Sequence, residues 1–127
     1  MTPKIIQAPQ IALAPQGIRV YHDNDGNIED EQFCPDALKI QRLAYSFHSL
    51  VGLRGIEPWD PSVLATESIP NVSSGTRHAL VFVLSVWNPK APQHYGLEPF
   101  DVHDALKIWD TPNRDAFATW ARDPWWA

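Results

Sequence analysis

The chain has 127 residues, 44% hydrophobic and 11% aromatic, enough for one ordinary domain with a real core, which excludes intrinsic disorder. Ten Lys and Arg stand against fifteen Asp and Glu, a net charge of −5, and the cations are scattered singly from Lys4 to Arg122. That distribution disfavours direct DNA or RNA binding, which normally needs a basic stripe, and suits a soluble protein or one with a basic partner.

In chain order, residues 1–17 read as an extended arm. Pro3, Pro9 and Pro15 recur at six-residue spacing and interrupt helix, leaving short apolar pieces that include Ile11 and Leu13. The arm either lies in a groove of a partner or of a second copy, with Ile11 and Leu13 as contacts, or drapes over its own domain. The start, Met1-Thr2-Pro3-Lys4, lacks the pattern of a secretory signal.

From residue 18 to 127 a single helical domain is expected. It opens with a short hairpin: Ile18 and Val20 on one side, Ile28 on the other, and Asp25-Gly26 as the turn signal. The spacing of Asp23, Asp25, Gly26 and Ile28 mimics part of a calcium loop. Tyr21 and Gln32 occupy the positions where that loop requires its first acid and its bidentate glutamate, so turn chemistry is the better reading. Asp23, Asp25, Glu29, Asp30, Glu31 and Asp36 follow one another with no Lys or Arg between them. Such a run is either a solvated loop or a docking patch for a basic partner.

Cys34 is the lone cysteine, which rules out an internal disulfide or a zinc-thiolate cluster and points to a reducing, cytoplasmic setting. Weighed as a nucleophile, it reads better as a small hydrophobe. Pro35 and Asp36 then open an amphipathic helix with Ala37, Ile40, Ala44, Phe47 and Val51 on its apolar face, ending near Gly52 or Gly55. Lys39, Gln41, Arg42 and Ser46 fall mainly on the other side.

Residues 55–75, broken by Pro58, Pro61 and Pro70, predict a loop with at most a short helix around Pro61 to Thr66. A loop this long is often functional, and Trp59 is its candidate partner contact. Thr76 to Asn88 is the most apolar stretch. Its β-branched residues suit a buried strand, while its length and the Thr76 cap suit a buried helix; helix is favoured because a lone central strand has nothing to pair with.

Residues 89–99 read as loop. Asp101 caps a helix running to Trp109, and Thr111-Pro112 opens another that Asp123-Pro124 stops. Val102, Ala105, Leu106 and Trp109 are expected inward from the first, and Ala116, Phe117, Trp120 and Ala121 from the second. Trp125 and Trp126 close this hairpin as an aromatic plug, one of them covered and the other free to contact a partner. The pentapeptide Asp-Ala-Leu-Lys-Ile occurs at 36–40 and 104–108, as two similar helix starts without aligned flanks.

No phosphate loop, nucleophile elbow or paired-cysteine motif is present. The expected fold class is therefore mainly α, a small helical bundle with a short N-terminal β-hairpin and an extended arm. The expected function is non-catalytic docking onto a larger protein or onto itself, without cofactor, direct nucleic acid or membrane. An acidic body with exposed aromatics would also suit an inhibitor of a nucleic-acid-binding machine, as a phage- or plasmid-borne antagonist would be. The alternative is a small metal-assisted hydrolase using His78, His94, His103 and Asp101.

Overall fold

A computed structural model describes residues 14–127; the expected contacts Ile11 and Leu13, and most of the proline-spaced arm, lie outside them. The described chain is mainly α-helical with one short antiparallel hairpin, β1 (Ile18–His22) and β2 (Ile28–Phe33). The turn follows from its chemistry. Gly26 sits at φ +86°, where a side chain is strained, and the Asp23 carboxylate accepts from the Asp25 and Asn27 amides at 2.9 Å each. Ile18 pairs with Phe33 and Val20 with Glu31, and the register shifts between Tyr21 and His22.

Helix α1 (Pro35–Tyr45) starts at the predicted Pro35 but ends well before Gly52. The Ser46 hydroxyl donates to the Leu43 carbonyl at 2.6 Å, a local bond that competes with continued helix. Phe47 then takes an extended backbone, and its ring turns into the core, 5.8 Å from Phe82 and 5.5 Å from Trp109. Val51, placed on the apolar stripe by the longer helix, is exposed as a result.

The Pro61–Asn71 region is more ordered than a loop: an α-turn, a wider π-type turn and a 3-10 turn follow each other. Asp60 opens the run, its Oδ1 accepting from the Val63 amide at 3.2 Å.

The central element is the predicted helix, α2 (Ser74–Trp87), with Ala79 to Leu84 and Val86 all buried. It starts two residues before Thr76, with Ser73 rather than Thr76 at the cap position. Apolar nearly all round, it is covered by α1, by a single turn α3 (Ala91–His94) inside the expected 89–99 loop, and by α4 (Val102–Ile108).

The carboxyl-terminal hairpin forms as expected, from α4 and α5 (Thr111–Arg122). Asp101 caps α4 by accepting from the Asp104 amide at 3.0 Å, and Asp110, not Thr111, caps α5 by accepting from the Asn113 amide at 3.1 Å. Only Ala105 of α4 is buried; Val102 and Leu106, expected inward, are exposed, as is Ala121 of α5. The reason is the length of α4: two turns suffice only to swing Trp109, just past its end, into the core. Phe47, Phe82, Phe100, Trp109, Phe117 and Trp120 form one aromatic cluster of tilted and edge-on pairs, with Phe100 stacked on Trp109. The tail closes on it: the Trp120 indole donates to the Trp125 carbonyl at 3.0 Å, and the Ala127 amide to the Val86 carbonyl at 3.0 Å.

Candidate functional site

Of the acidic residues singled out in the sequence, Asp23, Asp25, Glu29, Asp30 and Glu31 lie on the hairpin and Asp36 in the first turn of α1. All of β2 is exposed, and among the described residues only one of its edges is used. On the far side of β1 the Val20 amide donates to the Trp59 carbonyl at 2.9 Å and the Trp59 amide to the Ile18 carbonyl at 2.7 Å, so that edge is closed. Alternation then fixes which groups of β2 face out. Ile18 and Val20 point their backbone groups away from β2, so their partners Phe33 and Glu31 point theirs away from β1, while Glu29 falls at the register shift. This outer edge carries Glu29, Asp30 and Glu31 between two apolar side chains, Ile28 at 63% and Phe33 at 61% exposure.

The edge is guarded. The Asp30 carboxylate folds back to accept from the Glu31 amide at 2.8 Å and from the Gln32 side chain, which covers one of the outward donors.

Beside the strand is a cleft of about 210 Å³ lined by Val20, Ile28, Glu31, Glu57 and Asp60, among others. Glu57 is held in it from both sides: its Oε1 accepts from the Tyr45 hydroxyl at 2.8 Å and its Oε2 from the Gln16 amide at 2.9 Å. Burial, reinforced by Glu57, pushes the Tyr45 hydroxyl well above its ordinary range, so it remains a donor. Arg54, also on the cleft wall, is paired with Glu67.

The fourth wall is His22. Its Nε2 is 2.8 Å from Asp60 Oδ2 and its Nδ1 is 3.1 Å from the Gly26 carbonyl. Both partners accept, so only the doubly protonated imidazolium satisfies both. The bond to Asp60 accordingly raises the His22 pKa above 6.5, against a smaller opposing effect of burial. A group whose folded pKa is raised stabilises fully below its unfolded value and loses that contribution as pH rises through the folded one. Stability should therefore decline above pH 6.5 through this pair. His22→Gln is expected to flatten the dependence of melting temperature on pH between about 6 and 8, and an unchanged slope would show that the pair does not titrate there.

The other predicted contacts are elsewhere. Trp59 is not a surface residue at all: it is 0% exposed, with its ring 5.4 Å from Trp87. The correction has a backbone cause, since Trp59 is stitched to β1 and the preceding turn is drawn tight by Gly55, at φ +98°, where an added Cβ would meet the Leu64 amide at 2.7 Å. Trp125 is half-buried with the Lys39 ammonium 4.5 Å from its ring centre, and Trp126 stands 56% exposed, edge-on to Trp120. Trp125 lines a groove with Lys39, Arg42, Leu43 and Trp120 that shares no residue with the acidic cleft.

Nor do the histidines converge. His78 and Asp101 line one cleft with Arg77, Glu98 and Asp104, His94 lines another, and His103 stands exposed with its nearest carboxylate contact, Asp104, at 4.0 Å. Among the described residues no three His, Cys, Asp or Glu side chains are grouped to hold a metal ion. None of the described helices is long and apolar enough to cross a membrane.

What sequence reasoning missed is Glu57, Asp60 and His22 as neighbours of the acidic strand. They come from segments far apart in the chain, and nothing in their local patterns marks them. No protein-family model, curated protein or solved structure matches the chain, so its own geometry carries the functional reading.

Proposed function

We propose that this chain is a non-catalytic binding protein that captures a basic, extended segment of a protein partner along the outer edge of β2. The single observation behind this reading is a strand edge, unpaired among the described residues, that carries carboxylates in sequence and is flanked by two exposed apolar side chains. An incoming strand would take main-chain hydrogen bonds from Glu31 and Phe33, while its Lys or Arg side chains meet Glu29, Asp30 and Glu31. A long cation reaching into the adjoining cleft would find Glu31, Glu57 and Asp60. Asp30 adds selectivity: a cation that draws its carboxylate away releases the Glu31 amide for pairing, whereas a neutral strand leaves the guard in place.

A second copy is the weaker occupant. Antiparallel pairing of two β2 strands would set carboxylates against carboxylates, which is destabilising across a strand pair. The same charge logic suits an antagonist that fills the basic nucleic-acid groove of another protein, and we extend the proposal to that class of partner. With one cysteine and no paired thiols, the cytosol is the setting we propose for it.

The test is titration with a peptide alternating lysine and valine, followed by calorimetry over a range of salt. Binding should weaken steeply as salt rises, and salt-insensitive binding would rule the reading out. Glu31→Pro removes an outward amide that β1 does not use, so the fold should persist. Losing one such main-chain bond together with a carboxylate is expected to weaken binding about tenfold or more. Unchanged affinity in Glu31→Pro would mean that the peptide does not add as a strand.

A further inference from the structure

On the opposite face of β1 the charge reverses. Successive strand residues point to opposite faces, so while Val20 and His22 look into the acidic cleft, Arg19 looks away from it. Arg19 enters a separate cleft of about 310 Å³ lined by Pro61, Trp87, Asn88, Lys90, Ala91, His94 and Tyr95. In a chain with net charge −5 this lining contains an arginine, a lysine and a histidine and no carboxylate.

Arg19 is held in place without being satisfied. Its guanidinium carbon lies 4.6 Å from the Tyr21 ring centre and 4.8 Å from that of Trp87, so two aromatic faces fix its position. Its Nε is buried with no hydrogen-bond partner, and its guanidinium makes no ion pair among the described residues. A pre-oriented cation with unused donors is costly unless something accepts from it. Lys90 and His94 add two exposed donors on the rim, at the two ends of the short α3 segment. Burial raises the Tyr95 pKa, with Asp60 adding to the effect and Arg19 opposing it, so the phenol stays protonated and can donate. Asp60 is the carboxylate that acts on this group, and it is already engaged by His22 and the Val63 amide.

We infer that the cleft between Arg19, Lys90 and His94 binds a phosphate dianion, free or carried as a monoester. Three nitrogen donor groups converging without a carboxylate favour a doubly charged ligand over a singly charged one. The planar guanidinium matches the tetrahedral oxyanion with paired N–H donors, and Lys90 supplies a mobile point charge at the mouth. The cleft is at the lower end of the size range of small-ligand sites, large enough for the phosphate and a small organic group against Pro61, Ala91 and Tyr95. This site shares no residue with the acidic cleft, so it stands whether or not β2 captures a basic strand.

The experiment is an NMR titration of the full chain with inorganic phosphate, phenyl phosphate and benzoate, followed at the tryptophan indole N–H signals. Saturable shifts centred on Trp87 are expected with both phosphates, and tighter binding of phenyl phosphate would identify a monoester as the natural form while equal affinity would identify the free ion. Lys90→Gln, a surface change that leaves the core intact, should weaken binding about tenfold, which corresponds to about 1.4 kcal/mol. Arg19→Lys keeps the charge but removes the fork and should weaken it at least as much. Benzoate binding as tightly as phenyl phosphate would overturn the assignment, as would absence of saturable shifts with either phosphate, or affinity unchanged in both Lys90→Gln and Arg19→Lys.

Discussion

Replacing Trp109 with alanine is expected to remove about 3–5 kcal/mol of stability, out of a total that for a domain is typically about 5–15. The size of the effect follows from where the ring sits. Trp109 is 2% exposed and lies 5.5 to 5.9 Å from Phe47, Phe100 and Phe117. Its indole N–H donates to the Gly75 carbonyl at 2.9 Å, in the first turn of α2. Truncation thus opens a cavity and removes a hydrogen bond, and the melting temperature should fall by roughly 10–20 °C. Trp109→Phe should recover much of the packing while still lacking the hydrogen bond. A Trp109→Ala protein that melts like the parent would show that the aromatic cluster is not what closes the helices. The same view predicts that a chain ending before residue 100 loses its cooperative transition.

Gln41→Leu should also be strongly destabilising, although leucine preserves most of the volume. Gln41 is 0% exposed. Its Oε1 accepts from the Gly17 amide at 2.9 Å, and its Nε2 donates to the carbonyls of Ile56 at 2.9 Å and Ile18 at 3.3 Å. One side chain on α1 therefore ties together the entry to β1, β1 itself and the segment that carries Trp59. Gly17 cannot move to find another partner, because it sits at φ +75° with its Cβ position 2.9 Å from both Leu38 and Phe33. Leaving the Gly17 donor and the Ile56 acceptor unpaired costs about 1–3 kcal/mol each, so a loss of about 2–6 kcal/mol is expected in denaturant unfolding. A loss under about 1 kcal/mol would mean that these groups readily find other partners. Because Gln41 also positions the hairpin, the variant should weaken capture of a basic peptide at β2 even where the fold survives.

Local rules were readable residue by residue. Asp25-Gly26 made the turn it encodes, Pro35 began α1, the apolar run after Thr76 formed the central helix, and Asp101 capped α4. Each depends on neighbours within a few positions, where propensity, capping and turn chemistry act. The acidic run on β2 was visible for the same reason, since charge and exposure follow from composition along one strand.

Other features had no local signal. Gln41 read as a solvent-facing residue of an amphipathic helix, because periodicity assigns a face by hydrophobicity and cannot see a polar group needed by backbone elsewhere. Trp59 read as a loop tryptophan open to a partner, and burial came from pairing with β1 across forty residues. The histidines read as a set that folding could assemble, and the fold puts His78 and His94 in different clefts.

The amino-acid order alone thus determined the turns, the helix starts, the apolar centre and the sign of charge on the hairpin, since these are short-range properties of the chain. Only the tertiary structure decided which edge of the hairpin stays open, which carboxylates gather beside it, and that Arg19 is held unpaired on the reverse face. Those outcomes depend on closing one side of β1 with Trp59 and on which distant groups burial brings together, and such long-range contacts are encoded by no single stretch of sequence.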